Sequence, residues 1–325
     1  MIMEISDQLQ HRSGLMPSYD IIGDIHGYAD LLEELLLKLG YKKPAGSCWQ
    51  HPSDRKVLFL GDYIDRGPSI RRTLQIVRGM VDKGEALAIM GNHEYNALLY
   101  HTSDRNGGWL RSHGPKNVVQ HAATLAQFWN HRDEWSDYLD WFVRLPLWLD
   151  LGDFRAVHAS WDDRFMTKRP DCRVLDLDSL RRSATKGTVE YVLCATLLKG
   201  PEIELPPGYH FPDTDSAIRT KIRLKWWRSP TSRTYHELCL PQLDNVPHLP
   251  LPETAEFLCP GYSPDAPPVF FGHYGLPFDG GARLIATNVA CLDYSVVKNG
   301  ALVAYRWDGE QALEPDKLVY VKKKE

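Results

Sequence analysis

The chain has 325 residues, of which 43% are hydrophobic and 25% charged, a balance typical of globular proteins with a sizeable core. Its formal net charge of −4 lacks the basic excess of a dedicated nucleic-acid-binding protein, so nucleic acid is not an expected partner. The six cysteines form no CxxC pair, which argues against a cysteine zinc site and favours reduced thiols.

The first 17 residues are polar, and we predict that residues 1–17 form a loose N-terminal arm. They have neither the basic start nor the apolar run of a signal peptide. No later stretch is apolar over a length that spans a membrane. The expected location is therefore the cytoplasm, without a membrane partner.

Short apolar runs alternate with helical patterns along the chain. Leucines from Leu31 to Leu39 recur at helical spacing, with Gly40 placed to end that helix, and Leu74, Val77 and Val81 mark a second helical face. This alternation predicts an α/β fold around a buried sheet, in which ligands gather at the carboxyl ends of the strands. The predicted strands cover residues 19–22, 57–60, 86–90, 154–157, 269–271, 283–289 and 301–307.

More than half of the 22 prolines fall between Pro201 and Pro268, which rules out regular strand or helix throughout that stretch. We predict one domain over residues 18–310, with residues 161–267 as a proline-rich elaboration and 311–325 as a C-terminal tail. Helices are expected near 174–199, with long loops after them. The elaboration either shapes access of the substrate or forms a rigid cover, and both interpretations stay open.

Polar residues with metal-binding chemistry follow five of the predicted strands. Carboxylates, an amide and imidazoles suit Mn²⁺, Fe or Zn²⁺, and two adjacent ions suit displacement at phosphorus because together they hold both the attacking and the leaving oxygen. The set consists of Asp24 and His26 in GDIHG, Asp62, Asp65 and Arg66 in GDYIDRGP, Asn92 and His93 in GNHE, and the later His158 and His273.

The motifs GDIHG, GDYIDRG and GNHE, in that order and followed by two separate histidines, resemble the signature of the phosphoprotein phosphatase branch of the calcineurin-like metallophosphoesterases. The resemblance covers residues 19 to about 307. It implies a four-layer α-β-β-α sandwich of two mixed sheets flanked by helices, with a dinuclear metal site at the carboxyl ends of the strands.

The resemblance also implies a role for each residue of the set. Two divalent ions are expected, Mn²⁺ foremost with Fe or Zn²⁺ as alternatives, and a hydroxide bridging them would attack phosphorus. The implied roles are first-metal ligands for Asp24 and His26, a bridging ligand for Asp62, second-metal ligands for Asn92, His158 and His273, a general acid for His93, its orienting carboxylate for Asp65, and a phosphate-binding guanidinium for Arg66.

This chain departs from the family pattern at two points. His158 is followed by Ala159 and Ser160 rather than by two glycines. The second phosphate-binding basic residue of the family's protein phosphatases cannot be placed by motif. Substrate-binding candidates are Lys199, Arg219, Arg223 and Arg228, together with Tyr294, for which simple packing is an equal alternative.

Other aromatic and histidine residues receive a structural interpretation. His101, His113, His121 and His131 are predicted to be surface or packing residues. Trp226 and Trp227 lie among basic residues, an arrangement that can stack nucleotide bases, although a buried strand with basic ends is favoured.

Three functions are compatible with these observations. The first is hydrolysis of phosphate monoesters, in phosphoproteins or small esters. The second is symmetrical hydrolysis of dinucleoside polyphosphates such as diadenosine tetraphosphate. The third is a non-catalytic metal-binding regulatory module, against which the presence of His93, Asp65 and Arg66 argues.

Overall fold

A computed structural model describes residues 18–212, 218–259 and 261–323, so the predicted N-terminal arm lies outside the described residues. Within these ranges the strands are β1 (Tyr19–Ile22), β2 (Lys56–Phe59), β3 (Ala86–Ala88), β4 (Trp148–Asp150), β5 (Arg155–Val157), β6 (Glu202–Glu204), β7 (Phe211–Pro212), β8 (Ile218–Arg219), β9 (Lys221–Leu224), β10 (Cys239–Leu240), β11 (Val269–Phe271), β12 (Val289–Cys291), β13 (Asp293–Tyr294), β14 (Ala301–Trp307) and β15 (Leu318–Lys322). The α-helices are α1 (Ala29–Leu39), α2 (Ile70–Asp82), α3 (Asn92–His101), α4 (Pro115–Gln127), α5 (Arg132–Val143), α6 (Asp163–Lys168), α7 (Leu177–Ser183), α8 (Val189–Lys199), α9 (Tyr235–Leu238) and α10 (Ala255–Leu258).

The first sheet has the strand order β13-β14-β1-β2-β3, with β15 also pairing with β14. Strands β1, β2 and β3 run parallel, whereas β14 is antiparallel to β1 and to β15. Because β15 comes from residues 318–322, the segment predicted as a tail contributes a strand to this sheet.

The second sheet has the order β12-β11-β5-β4, and β11 runs parallel to both β12 and β5. Aromatic rings join the two sheets face to face: the ring centroids of Phe154 and Trp307 lie 4.5 Å apart, and those of Phe270 and Tyr305 lie 5.2 Å apart. Helix α1 packs against β14 and β15, and α2 packs against β3. The prediction of two mixed sheets flanked by helices is confirmed.

Helices α1 and α2 form where the hydrophobic spacing predicted them. The leucine face of α1 is buried, and the helix ends at Gly40, whose φ of 97° lies in the left-handed region that glycine tolerates. Leu74 and Val77 on α2 are fully buried. Burial of these stripes against the first sheet is the main source of stability for such helices.

The proline-rich stretch contains regular structure of its own. It includes helices α6 to α10, a three-stranded sheet of order β10-β9-β6, and the β7–β8 pair. Trp226 and Trp227 are buried, as predicted, but they follow β9 in a turn rather than forming a strand. Trp226 packs edge-on against Phe271 of the second sheet, 5.2 Å between ring centroids, which fixes the elaboration to the domain.

One predicted strand was wrong. Residues 283–289 are mostly irregular, and the strand of this region, β12, begins only at Val289. The hydroxyl of Tyr294 donates to the carbonyl of Arg283 and accepts from its N–H, both at 2.7 Å. A side chain thus takes the backbone hydrogen bonds that a neighbouring strand would need. Among the described residues, no helix combines the length and apolarity required to cross a membrane.

Candidate active site

Five strand ends bring the predicted polar residues together. Parallel β1, β2 and β3 lead into the GDIHG, GDYIDRGP and GNHE loops at one edge of the first sheet. In the second sheet, β5 leads to His158 and β11 leads to His273. The carboxyl ends of parallel strands share one edge, so residues far apart in the sequence converge there.

The backbone at this edge is strained at several of the predicted site residues. Five residues that are not glycine adopt the left-handed region that L-residues seldom occupy, and such strain clusters at functional sites. They are His26 (φ 48°), Asp62 (52°), Asp65 (67°), Arg66 (68°) and His273 (72°). Close packing also requires glycine at position 272, where a Cβ atom would lie 1.9 Å from Oδ1 of Asp24.

Asp62 lies at the centre of the site. One carboxylate oxygen, Oδ2, is 3.6 Å from Nε2 of His26 and 3.9 Å from Nε2 of His93, while Oδ1 is 3.4 Å from Nε2 of His158. Two of these distances are too long for hydrogen bonds and the third is marginal. They match the spacing of side chains that share a cation, because ligands at about 2.1 Å from an ion lie roughly 3 Å or more from one another.

In the part of the chain that the structure describes, two groups of side chains have donor atoms close enough to hold a metal ion, and Asp62 belongs to both. The first group joins Asp62 with His26 and His93, and the second joins it with His158 and His273. In each group all donor atoms lie within 4.8 Å of one another. The residue that the resemblance assigns as a bridge is therefore the one that the two groups share.

The charge balance of the site also fits bound cations. Asp24, Asp62 and Asp293 are buried, and none forms an ion pair with a lysine or arginine among the described residues. Burial and then the charges of Asp293 and Asp62 raise the pKa of Asp24 well above its usual value. Divalent ions would compensate this uncompensated negative charge.

Asn92 links the two later histidines. Its Oδ1 atom lies 3.0 Å from Nε2 of His158 and 2.6 Å from Nδ1 of His273. Nε2 of His273 is buried and has no hydrogen-bond partner in the described part of the chain. Nδ1 of His273 is therefore the ring nitrogen that lies beside Oδ1 of Asn92, a predicted ligand. Asp24 accepts the backbone N–H of His273 at 3.1 Å but falls outside both donor groups.

Asp65 contacts the Nδ1 side of the His93 ring. Nδ1 of His93 lies 2.6 Å from Oδ2 of Asp65, so Nε2 points towards Asp62. Burial opposes a charged imidazole, but the carboxylates of Asp62 and Asp65 outweigh it and raise the pKa of His93. Burial also raises the pKa of Asp65, and hydrogen bonds from His121 and His93 reverse this, leaving the pKa of Asp65 below its usual value.

The predicted basic residues are distributed unevenly around the site. Arg66 is exposed. Burial, then the charge of His93 and, to a smaller extent, that of Arg66 lower the pKa of His26 to about 4. Lys199 lies with Nζ 6.0 Å from the ring centroid of Tyr95, and Arg223 lies 5.8 Å from that of Tyr274, the residue after His273.

Three other candidates lie apart from the donor groups. Arg219 is exposed on β8, and Arg228 is exposed in the turn after Trp227. Tyr294 is buried, and its hydroxyl is occupied by the backbone of Arg283. Burial and then the charge of Arg223 lower the pKa of His273 well below its usual value, so Arg223 lies near the second donor group, whereas Lys199 lies beside Tyr95.

The sequence of this chain matches the family model described as calcineurin-like phosphoesterase over residues 18–275. The chain belongs to the calcineurin-like phosphoesterase family. Every predicted ligand lies within the matched segment.

Relatives of this phosphoesterase include proteins named asymmetrical bis(5′-nucleosyl)-tetraphosphatase PrpE. The protein from Oceanobacillus iheyensis is 30% identical over 152 residues, which cover 46% of this chain and 59% of the relative. One from Bacillus cereus is 47% identical over 156 residues, covering 46% of this chain and 61% of the relative. The matched parts are thus less than two thirds of these relatives.

Solved structures of low sequence identity are also similar. A protein serine/threonine phosphatase from Saccharomyces cerevisiae has a TM-score of 0.49 at 12% identity, covering 99% of this chain and 87% of the other. A metallophosphoesterase from Sphaerobacter thermophilus has a TM-score of 0.41 at 13% identity, covering 95% and 88%.

Three residues of this phosphoesterase site were missed in the sequence. His121 and Thr124 on α4 both contact Oδ1 of Asp65, at 2.7 and 2.6 Å, although His121 was predicted to be a surface or packing residue. Glu94 accepts the backbone N–H groups of Asp62, Tyr63 and Gly91 at 2.8, 2.8 and 3.0 Å. Burial and the charge of Asp62 raise the pKa of Glu94 to about 7. The only sequence signal for Glu94 was its position beside His93.

Proposed function

We propose that this protein is a dinuclear metal-dependent hydrolase of phosphate ester or anhydride bonds. The observation that carries the proposal is that Asp62 belongs to two adjacent donor groups, and that His93, a member of the first group, is also held by Asp65 through Nδ1. Two ions a few ångströms apart suit in-line displacement at phosphorus, and a positioned imidazole suits protonation of the leaving oxygen.

The side chains divide by role. Mn²⁺ is the proposed metal, with Fe or Zn²⁺ as alternatives that these ligand types also suit. When bound, the ions supply charge neutralisation at phosphorus and a water molecule acidic enough to act as a nucleophile near neutral pH. One ion would be held by Asp24, His26 and Asp62, and the other by Asp62, Asn92, His158 and His273.

His93 protonates the departing oxygen through Nε2 in this proposal. Asp65 holds Nδ1 at 2.6 Å, which fixes the plane of the ring and keeps a proton on Nδ1. Arg66, exposed beside His26 and His93, is placed to bind a phosphate oxygen with its planar fork. The same three residues argue against a purely regulatory metal-binding module.

The proposed substrate is a dinucleoside polyphosphate. The PrpE relatives are named for asymmetrical hydrolysis of bis(5′-nucleosyl) tetraphosphates, whereas the sequence had suggested monoesters first and symmetrical cleavage second. A phosphate monoester is the second candidate, because the exposed guanidinium of Arg66 suits a single phosphate group.

Product analysis tests this proposal. Mn²⁺-loaded protein is offered diadenosine tetraphosphate, p-nitrophenyl phosphate and a phosphopeptide, and the products are separated by ion-exchange chromatography. Asymmetrical cleavage of the dinucleotide gives ATP and AMP, symmetrical cleavage gives two ADP, and monoester hydrolysis gives free phosphate. If none of the three is hydrolysed while two ions per chain are bound, the catalytic assignment is wrong and a metal-binding module remains.

A further inference from the structure

Three basic side chains from separate elements lie close to residues of α3 or to the residue that follows His273. Arg111 comes from the connection between α3 and α4, Lys199 ends α8, and Arg223 lies on β9. None of them is needed to hold the metal ions or to position His93. We call these three residues the basic arc.

Arg111 is half-buried and has neutral partners. Its Nη2 atom donates to Oδ1 of Asn117 at 2.9 Å and to Oε1 of Gln120 at 2.6 Å. It lines a small pocket together with Asp65 and His121. No carboxylate lies within 4.0 Å of its guanidinium in the described ranges. Amide oxygens satisfy its hydrogen bonds, and Asp65 lies nearby without forming an ion pair with it.

Lys199 and Arg223 each lie over an aromatic ring whose residue is close in sequence to a proposed ligand. Nζ of Lys199 lies 6.0 Å from the ring centroid of Tyr95, three residues after Asn92. Cζ of Arg223 lies 5.8 Å from the ring centroid of Tyr274. The backbone next to Lys199 also reaches Tyr274, since a Cβ atom on Gly200 would lie 2.0 Å from its hydroxyl oxygen. Both cations therefore lie on the side of His273.

The positive charges of the basic arc affect one another. Desolvation and then the charge of Arg111 lower the pKa of Lys199, and Arg223 lowers it further. Two acids are nearby: Glu202, with Oε1 3.8 Å from Nε of Arg223, and Asp65, which lines the same pocket as Arg111. Two carboxylates against three cations leave a net positive charge in this region.

We propose that the basic arc binds phosphate groups beyond the one that is attacked, so that the substrate is an oligophosphate. This inference rests on the proposed phosphate-bond hydrolysis and assigns residues to the phosphates that are not attacked. A monoester presents a single phosphate, for which Arg66 and the metal ions suffice. A chain of three or four phosphates carries about one negative charge on each, which three further cations match in number.

Kinetics with two substrates test the arc. The substitutions Arg111→Gln, Lys199→Gln and Arg223→Gln each remove a charge, and KM is measured for inorganic tripolyphosphate and for p-nitrophenyl phosphate with excess Mn²⁺. Arg132→Gln is the matched control, because its exposed guanidinium also faces an aromatic ring, at 5.3 Å from Trp129. We expect each arc variant to raise KM for tripolyphosphate at least tenfold more than KM for p-nitrophenyl phosphate, and the control to shift neither.

A binding measurement separates this inference from the catalytic one. Calorimetry with the Mn²⁺-loaded His93→Asn protein compares tripolyphosphate with orthophosphate, with and without Arg223→Gln. Tighter binding of tripolyphosphate that weakens at least tenfold in the double variant supports the arc even if no substrate is hydrolysed. Equal affinities for the two anions, or equal KM changes for the two substrates, would overturn it while leaving hydrolysis intact.

The unsubstituted protein provides a check that does not depend on folding of a variant. Because charge-charge contacts weaken with ionic strength, KM for tripolyphosphate should rise more steeply with added KCl than KM for p-nitrophenyl phosphate. Parallel dependences on salt would contradict the basic arc.

Discussion

Nδ1 of His121 lies 2.7 Å from Oδ1 of Asp65, on the carboxylate whose other oxygen contacts His93 at 2.6 Å. On the other side of the His121 ring, Nε2 lies 3.3 Å from Nε2 of His101. Nε2 of His101 accepts a hydrogen bond from Nε1 of Trp135 at 3.1 Å. A buried chain of polar groups thus runs from α5 to the proposed general acid, and helix α4 fixes the rotamer of Asp65.

Replacement of His121 should therefore lower kcat although the residue does not contact the proposed metal sites. We expect His121→Leu to reduce kcat at least about tenfold with little change in KM, because a misplaced Asp65 misorients His93. His121→Asn keeps an amide N–H near the position of Nδ1 and should restore most of the activity. Equal kcat in the unsubstituted protein and the leucine variant would rule out this positioning role.

His93→Asn should abolish most of the turnover without removing metal. Loss of a general acid costs roughly 10²- to 10⁴-fold in kcat. Metal content, measured by inductively coupled plasma mass spectrometry, should stay at two ions per chain. His113→Asn serves as the control, since His113 stacks on Tyr100 away from Asp62. Loss of an ion in His93→Asn would mean that His93 is a metal ligand rather than the general acid. Its membership of the first donor group is compatible with that role.

The number of metal ions lost per chain should differ between the Asp62→Asn and His26→Ala variants. Asp62→Asn weakens a ligand shared by both donor groups, so both ions should be lost on dialysis. His26→Ala affects the first group only, and one ion per chain should remain. The same stoichiometry in both variants would contradict the bridging role of Asp62.

Glu94→Ala should destabilise the protein by at least about 3 kcal/mol, since each buried N–H left without a partner costs about 1–3 kcal/mol. The affected donors belong to Asp62, Tyr63 and Gly91, and Glu94 itself is fully buried. Urea unfolding in the presence of a chelator measures this without a contribution from bound metal. The exposed Glu253→Ala control should change the free energy of unfolding by less than about 0.5 kcal/mol, and a similarly small effect for Glu94→Ala would contradict the prediction.

Thiol titration should distinguish one cysteine from the other five. Cys48 is half-buried, whereas the rest are buried, and burial raises the pKa of Cys194 and of Cys259 to about 12. Because the thiolate is the reactive form, Ellman's reagent should react with one thiol quickly in the native protein and with six after denaturation. Two or more fast thiols in the native state would mean that the fold opens around a buried cysteine.

The elements that the sequence predicted well are those whose local pattern agrees with the fold. The α1 leucine face with Gly40 at its end, and the apolar runs before GDIHG and GNHE, each carry their own signal. The strand predicted over 283–289 was wrong, and at its first residue, Arg283, both backbone hydrogen bonds go to Tyr294, a residue from a later strand. No local pattern contains that information.

The site residues also divide into those with a local sequence signal and those placed by tertiary packing. Residues within the three loop motifs could be predicted as site residues because each motif follows a strand at the shared edge. His121 and Arg111 come from α4 and the segment before it, whose position beside Asp65 depends on tertiary packing. Tyr294 was ambiguous in the sequence for the same reason, and its hydroxyl proved to be occupied by the backbone of Arg283.

The pairing of β1 with β14 has a consequence for how the protein is made. Strand β1 lies between β2 and β14, yet β14 begins only at Ala301, and the proposed ligands extend from Asp24 to His273. During synthesis the first sheet cannot be completed until nearly the whole chain has left the ribosome, because β14 is made late. The loop that carries Asp24 and His26 is therefore fixed in position late. Such long sequence separations slow folding, so the metal centre should form late, and an unfinished chain should bind metal weakly.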